Sequence, residues 1–245
     1  MVTGAGRGIG RSIALELAKH GADVAGCSRS ANELDELETS ITAMDRKAVV
    51  VPTDITNHSQ VSHFRDAVIS EFGQIDILIN NAGGGFETGP FADSTIEGWK
   101  KAIDVNLIGT YYSTRLFLDN IKSGGKIINI ASGMGLQAVP GNSSYAVAKA
   151  GVHMLTQVLA LELWDRGIDV NDVIPGLVAT TNVEWASDRS SVETVLAEFQ
   201  DKEPPFAPSE RVKHPDELGE LVLWIAAQEP GGPTGQSFSL GRRPF

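Results

Sequence analysis

The sequence predicts a doubly wound α/β fold, a single domain whose parallel sheet of about seven strands carries helices on both faces. Three observations predict it. Short apolar runs alternate with longer stretches of helical period. The runs are rich in β-branched residues and almost continuously apolar, as strands buried on both faces are. A glycine-rich turn, Thr3-Gly4-Ala5-Gly6-Arg7-Gly8-Ile9-Gly10, separates the first run from the first helical stretch.

In chain order, residues 23–28, 48–52, 75–80, 126–131, 169–174 and 237–240 read as strands, and residues 9–20, 31–44, 58–72, 96–121 and 144–164 as helices. Ser-x-x-Glu capping boxes mark helix starts at Ser30 to Glu33, Ser94 to Glu97 and Ser190 to Glu193. Pro215, ahead of Asp216 and Glu217, suits the first turn of a helix reaching residue 228. The strand before Gly4 has only Met1, Val2 and Thr3, about half the mean strand length. Either the central strand is short or residues precede Met1.

At 245 residues, 42% hydrophobic and 21% charged, the chain suits one α/β domain, residues 1–245, that buries its core without staples. No stretch approaches the roughly eighteen apolar residues of a membrane span, and no signal segment opens the chain, so no membrane association is expected. Cys27 is the only cysteine and lies in an apolar run, which excludes an intrachain disulfide and suits a reducing cytoplasm. A net charge of −11 argues against a nucleic-acid partner. The five histidines (His20, His58, His63, His153, His214) have no ligand spacing, so no metal is expected and they read as surface or core residues.

Glycines between a strand and a helix start permit close approach of a phosphate to free amides and to the helix dipole. The same turn would serve a methyltransferase or a dinucleotide-binding regulator. At the end of the second strand, where NAD-binding chains usually place an acid, stands Ser28, followed by Arg29. With Arg7 inside the turn, two guanidiniums suit a 2′-phosphate and favour NADP over NAD, unless both are plain surface residues.

Tyr145 and Lys149 are four apart in a helical stretch and share a face. A cation beside a phenol stabilises phenolate, which a free tyrosine, with a pKa near 10, does not supply at neutral pH. Ser132 closes the strand at residues 126–131, at the carboxyl edge where open parallel sheets bind ligands, and its hydroxyl would bind a carbonyl or alcohol oxygen beside the tyrosine.

These motifs, with Asn80-Asn81-Ala82-Gly83, Asn106 within Val105-Asn106-Leu107, and Pro175-Gly176, resemble the tyrosine-dependent short-chain dehydrogenase/reductase family over essentially the whole chain, in order and spacing. The resemblance implies a Rossmann-type fold and hydride transfer between NADP(H) and a small-molecule carbonyl or secondary alcohol. It implies Tyr145 as general acid/base, Ser132 orienting the substrate oxygen, Lys149 lowering the tyrosine pKa and holding the nicotinamide ribose, and Asn106 supporting a water-mediated proton relay. The turn and the second strand themselves place Gly4, Arg7, Gly8, Ile9, Gly10, Ser28 and Arg29 at the phosphates and ribose, while the resemblance implies Asp54 and Ile55 at the adenine, Asn81, Ala82 and Gly83 on the adenosine side, Val178 and Thr180 at the carboxamide end, and Pro175 and Gly176 also at the cofactor.

It further implies a homotetramer or homodimer, and a substrate lid over residues 177–213 that includes Trp185, Phe199, Pro204, Pro205 and Phe206. Phe86, Gln137 and Val139 are expected to border the pocket. Gly241-Arg242-Arg243-Pro244-Phe245 replaces the family's usual Asp-Gly-Gly, which puts the tetramer geometry in question. A 3-oxoacyl reductase is one family expectation, although the acidic charge offers an acidic carrier protein no basic surface. Sugar, steroid and small-ketone substrates stay open, as does a noncatalytic NADP-binding regulatory subunit.

Overall fold

The structure, a computed structural model, describes residues 1–181, 190–199 and 211–241. Its strands are β1 (Val2–Thr3), β2 (Val24–Ser28), β3 (Ala48–Pro52), β4 (Ile75–Asn80), β5 (Ile121–Ile130), β6 (Asp169–Ile174) and β7 (Ser237–Ser239). They form one sheet in the order β3-β2-β1-β4-β5-β6-β7, every neighbouring pair parallel. The chain crosses from β3 over β1 to β4, so the winding direction reverses between β1 and β4 and opens a crevice at their carboxyl ends.

The helices are α1 (Gly8–Lys19), α2 (Ala31–Thr42), α3 (His58–Phe72), α4 (Ile96–Ile103), α5 (Gly109–Phe117), α6 (Ser143–Glu162), α7 (Val192–Glu198) and α8 (Asp216–Ala226). Alternation along the strands builds two cores. Ile79 and Ile128 join Ile13, Leu34 and Val222 from α1, α2 and α8 on one face. Their neighbours Leu78 and Ile127 join Phe64, Phe117 and Ala160 from α3, α5 and α6 on the other.

The strands are less apolar than the sequence suggested, because Asn80, Asn129, Asn171 and Asp172 are all buried in them. Asn80 donates to Thr114 Oγ1 at 2.9 Å and to Asn129 Oδ1 at 2.8 Å, and accepts from Ser113 Oγ at 2.5 Å. Asn129 passes the chain on to Thr156 Oγ1 at 2.9 Å. This satisfied network ties α5 and α6 to the sheet below the crevice.

Several element ends and one helix interior differ from expectation. β5 begins at Ile121, pairing with Ile75, and slips register before Lys126 meets Ile77, over a segment where Gly124 takes φ +78°. Thr95, not Ser94, caps α4 by accepting from Gly98 N at 3.0 Å, because Ser94 Oγ is spent on Phe91 O. Ser191, not Ser190, caps α7 through Thr194 N at 3.1 Å. The expected helix over residues 96–121 is broken by a π turn, Asp104–Ile108, in which Gly109 N–H reaches back five residues to Asp104 O.

Candidate active site

Every strand end from β1 to β6 delivers residues to one cavity of about 1430 Å³. A pocket for one small ligand is on the order of 300–1,000 Å³, so this cleft has room for a dinucleotide and a substrate together. Of the residues expected at the cofactor, Gly4, Arg7, Gly8, Ile9, Ser28, Arg29, Asp54, Ile55, Asn81, Ala82, Gly83, Pro175, Gly176, Val178 and Thr180 line it. Phe86, Gln137 and Val139 border it as expected.

Gly10 is not on the cavity wall. A Cβ there would stand 2.3 Å from both Gly4 O and Asn81 Nδ2, so this glycine lets α1 pack onto the turn rather than meeting a ligand. Gly4 and Gly8 take φ +66° and +57°, which favours glycine at both. α1 starts with no side chain capping its amides, whereas Ser30, Asn57 and Thr95 cap α2, α3 and α4. Free amides, bare glycines and the positive end of the helix dipole fit the phosphates of a dinucleotide. Thr3 Oγ1 holds the opposite wall by accepting from Asn81 N and Ala82 N, both at 3.0 Å.

At the adenosine end the structure adds a carboxylate. Glu33 lines the cavity, and its Oε1 lies 3.4 Å from Arg7 Nη1. Five residues after Ser28, it carried no signal until α2 turned it back toward the glycine-rich turn. Cys27 is buried in β2, and burial pushes its thiol up to about 12, leaving it unreactive.

At the other end stand Ser132, Tyr145 and Lys149. The Tyr145 hydroxyl is close enough to the Ser132 side chain to feel it, and Ser132 Oγ accepts from Met134 N at 3.2 Å. Lys149 Nζ sits 5.7 Å from the Tyr145 ring centroid and donates to Ile130 O at 2.7 Å. Burial raises the Tyr145 pKa above the usual phenol range, and the bond to Ser132 only partly offsets that. Burial also lowers Lys149 to about 8, against the opposing pull of Asp172.

Asn106 is fully buried and does not reach the cavity wall. The π turn aims its amide at backbone: Nδ2 donates to Gly84 O and Ala102 O, both at 2.9 Å, and Oδ1 accepts from Gly84 N at 3.0 Å. It braces the loop over residues 81–85 through Gly84. Asn106 Oδ1 and Lys149 Nζ do meet around Gly83, whose Cβ would stand 2.7 Å and 3.3 Å from them.

Sequence reading also missed the charged wall from α4 and its π turn, Glu97, Lys100, Lys101 and Asp104, with Lys101 Nζ 5.5 Å from the Phe86 ring centroid. Their spacing on one helical face was the available signal. Of the expected lid, Leu177, Val178, Thr180 and Phe199 are described, and Phe199 packs with Leu196, Val195 and Ala179. Trp185, Pro204, Pro205, Phe206, Arg242, Arg243, Pro244 and Phe245 lie outside the described residues.

A doubly wound sheet with a bare glycine turn at its crevice and a Ser–Tyr–Lys cluster beside it defines a Rossmann-type oxidoreductase. The short chain dehydrogenase profile matches residues 1–190, and the chain belongs to that family of oxidoreductases. The 3-oxoacyl-[acyl-carrier-protein] reductase of Synechocystis sp. is 33% identical, over 98% of this chain and 94% of its own length. The cyclohexanol dehydrogenase of an Acinetobacter species is 32% identical, over 97% and 91%. A short chain dehydrogenase from Burkholderia cenocepacia, solved in complex with NADP, superposes with TM-score 0.84 at 29% identity, over 98% of this chain and 94% of its own. Among the described residues no helix is long and apolar enough to cross a membrane.

Proposed function

We propose that the chain is an NADP-dependent carbonyl reductase, working reversibly on secondary alcohols, with residues 1–245 acting as one dinucleotide-binding and catalytic domain. The observation that carries the reading is the pairing of Tyr145 with Ser132 and Lys149 on the wall of a cleft that has room for cofactor and substrate. The nicotinamide, when bound, supplies or accepts the hydride. Gly4, Gly8, Ile9 and the free amides of α1 would hold its phosphates, and Asp54, Ile55 and Asn81 to Gly83 the adenosine side. Pro175, Gly176, Val178 and Thr180 would meet the carboxamide end, and Lys149 the adjoining ribose.

Ser132 and Tyr145 together present two hydroxyls to the carbonyl oxygen. Because burial keeps Tyr145 protonated at neutral pH, it is suited to give its proton to the oxygen as negative charge develops there, which favours reduction. Oxidation needs the phenolate, and Lys149 together with an oxidised nicotinamide supplies the positive charge that stabilises it. Arg7 and Arg29 support NADP over NAD, with Arg29 carrying more of the preference because Arg7 already faces Glu33.

Relatives that reduce 3-oxoacyl carriers and oxidise cyclohexanol leave the substrate at the level of a ketone or secondary alcohol. Assembly into a homo-oligomer is supported by exposed apolar side chains at Val147, Met154, Val158 and Leu161 along α6. A regulatory subunit would need none of the proton-transfer groups.

A panel of ketones followed by NADPH absorbance tests the reading. Tyr145→Phe is expected to bind NADPH as the wild type does and to lose turnover by about 10²-fold or more. Undiminished turnover in that variant overturns it.

A further inference from the structure

A buried ion pair lies directly beneath the Ser–Tyr–Lys cluster, and the proposed reaction does not use it. His153 is one turn beyond Lys149 on α6 and two beyond Tyr145. Its Nδ1 lies 2.9 Å from Asp172 Oδ2 on β6, and its Nε2 lies 3.0 Å from the backbone carbonyl of Ser132. Both partners are acceptors. A neutral imidazole has one donor nitrogen and one acceptor nitrogen, so it would set a lone pair against one of those oxygens. Only a ring protonated on both nitrogens satisfies both contacts while Asp172 is ionised.

His153 is 3% exposed and Asp172 1% exposed. Asp172 Oδ1 has no hydrogen-bond partner among the described residues, so the carboxylate leans on the imidazole and on the nearby charge of Lys149. The turn Gly133–Gly135 closes over the ring: a Cβ on Gly135 would stand 2.8 Å from His153 Cδ2. That turn carries no titratable group. The charged groups facing the ring are thus Asp172 from β6 and Lys149 from α6.

We propose that His153, backed by Asp172, is a positioning residue: it clamps the carbonyl of Ser132 so that the Ser132 hydroxyl is held against Tyr145. The proposal rests on the reading of Ser132 and Tyr145 as the proton-transfer pair. Ser132 lies two residues past the end of β5 and caps the short turn Gly133–Gly135, so its carbonyl is held by the Gly135 amide of that turn at 3.0 Å and by His153. The clamp joins it to β6 through two hydrogen bonds, placing the hydroxyl by a rigid element rather than by the loop. Burial by itself would lower the imidazole pKa, but the bonds to Asp172 and to Ser132 together raise it, which favours the charged ring that the two acceptors require.

The test compares two double variants that leave no buried charge unpaired. In His153→Gln with Asp172→Asn the Gln amide keeps a side-chain donor for Ser132 O; in His153→Leu with Asp172→Asn only the Gly135 amide of the turn remains, at 3.0 Å. Carbonyl reduction is expected to stay within about threefold of wild type in the first and to fall about tenfold or more in kcat in the second, with the NADPH Kd unchanged in both. Equal kcat in the two variants overturns the clamp.

Asp172→Asn alone provides a second measurement if the leucine variant does not fold. Without the carboxylate the ring gives up its proton at lower pH, so the alkaline limb of the kcat profile moves to lower pH than in wild type. Coincident limbs overturn the proposal. Imidazole ¹⁵N shifts of the wild type need no turnover and separate the clamp from the functional reading. Two protonated nitrogens at pH 7 are expected, and a neutral ring overturns the clamp even where ketones are reduced.

Discussion

Lys149→Met is expected to abolish turnover and yet make the protein more stable. Lys149 is 4% exposed, and burial lowers its pKa from 10.5 to about 8. At roughly 1.4 kcal/mol per pH unit, holding the ammonium inside costs the fold about 3 kcal/mol at neutral pH. Methionine fills a similar volume without the charge. It also deprives Ile130 O of a donor held at 2.7 Å, which returns about 1–2 kcal/mol of that gain. The net expectation is a variant about 1–2 kcal/mol more stable, or about 2–8 °C higher in Tm for a chain of this size. The sign with pH is definite. Below pH 8 folded and unfolded chains both carry the proton, so the gap between variant and wild type is constant. Between pH 8 and 10.5 the folded wild type releases its proton first, its penalty shrinks, and the gap closes by about 2 kcal/mol from pH 8 to 9.5. Urea unfolding followed by tryptophan fluorescence at pH 7 and pH 9.5 measures both quantities. A destabilised variant, or a gap that does not narrow with pH, refutes the reasoning.

Gly10→Ala places a Cβ 2.3 Å from Gly4 O, so it should cost about 1–3 kcal/mol or more in urea unfolding and weaken cofactor binding by shifting the turn. Asn80→Ala leaves Ser113, Thr114 and Asn129 without their shared partner and should cost about 2–4 kcal/mol, measured the same way; a change below about 0.5 kcal/mol would show that the network adds little. Arg29→Asp is expected to raise the NADPH Kd more than the NADH Kd by fluorescence titration, and equal effects would remove the case for a 2′-phosphate at this rim. Glu33→Gln should tighten NADPH by about fivefold with NADH little changed, since a carboxylate beside Arg7 opposes a second anion there.

The strands at residues 48–52, 75–80 and 169–174 were legible to the residue, because β-branched runs bounded by turn residues leave few alternatives. So was the glycine turn, whose spacing carries its chemistry. What was not legible depends on contacts made at long range. The break at Asn106 reads as uninterrupted helix, since a π turn has no composition of its own; only the meeting of that amide with Gly84 shows why it is there. Gly10 looked like part of the phosphate loop because spacing does not distinguish a glycine facing a ligand from one facing a neighbouring strand. His153 was read as a core or surface residue, although Tyr145, Lys149 and His153 repeat every four residues on one face and Asp172 interrupts an apolar strand.

Those two polar interruptions explain the energetics of the site. The sheet buries an ammonium, an imidazole and a carboxylate within one helical face and one strand, where each would be costly alone. Asp172 lessens the cost of both cations, as its opposing pull on Lys149 and its bond to His153 show. Replacing Asp172 should therefore disturb more than the local packing: it leaves two cations without their counter-charge beneath the hydroxyl pair that faces the substrate. The carboxylate that never reaches the cavity thus governs how much positive charge the cavity floor can keep, and with it the pH range over which Ser132 and Tyr145 stay in register.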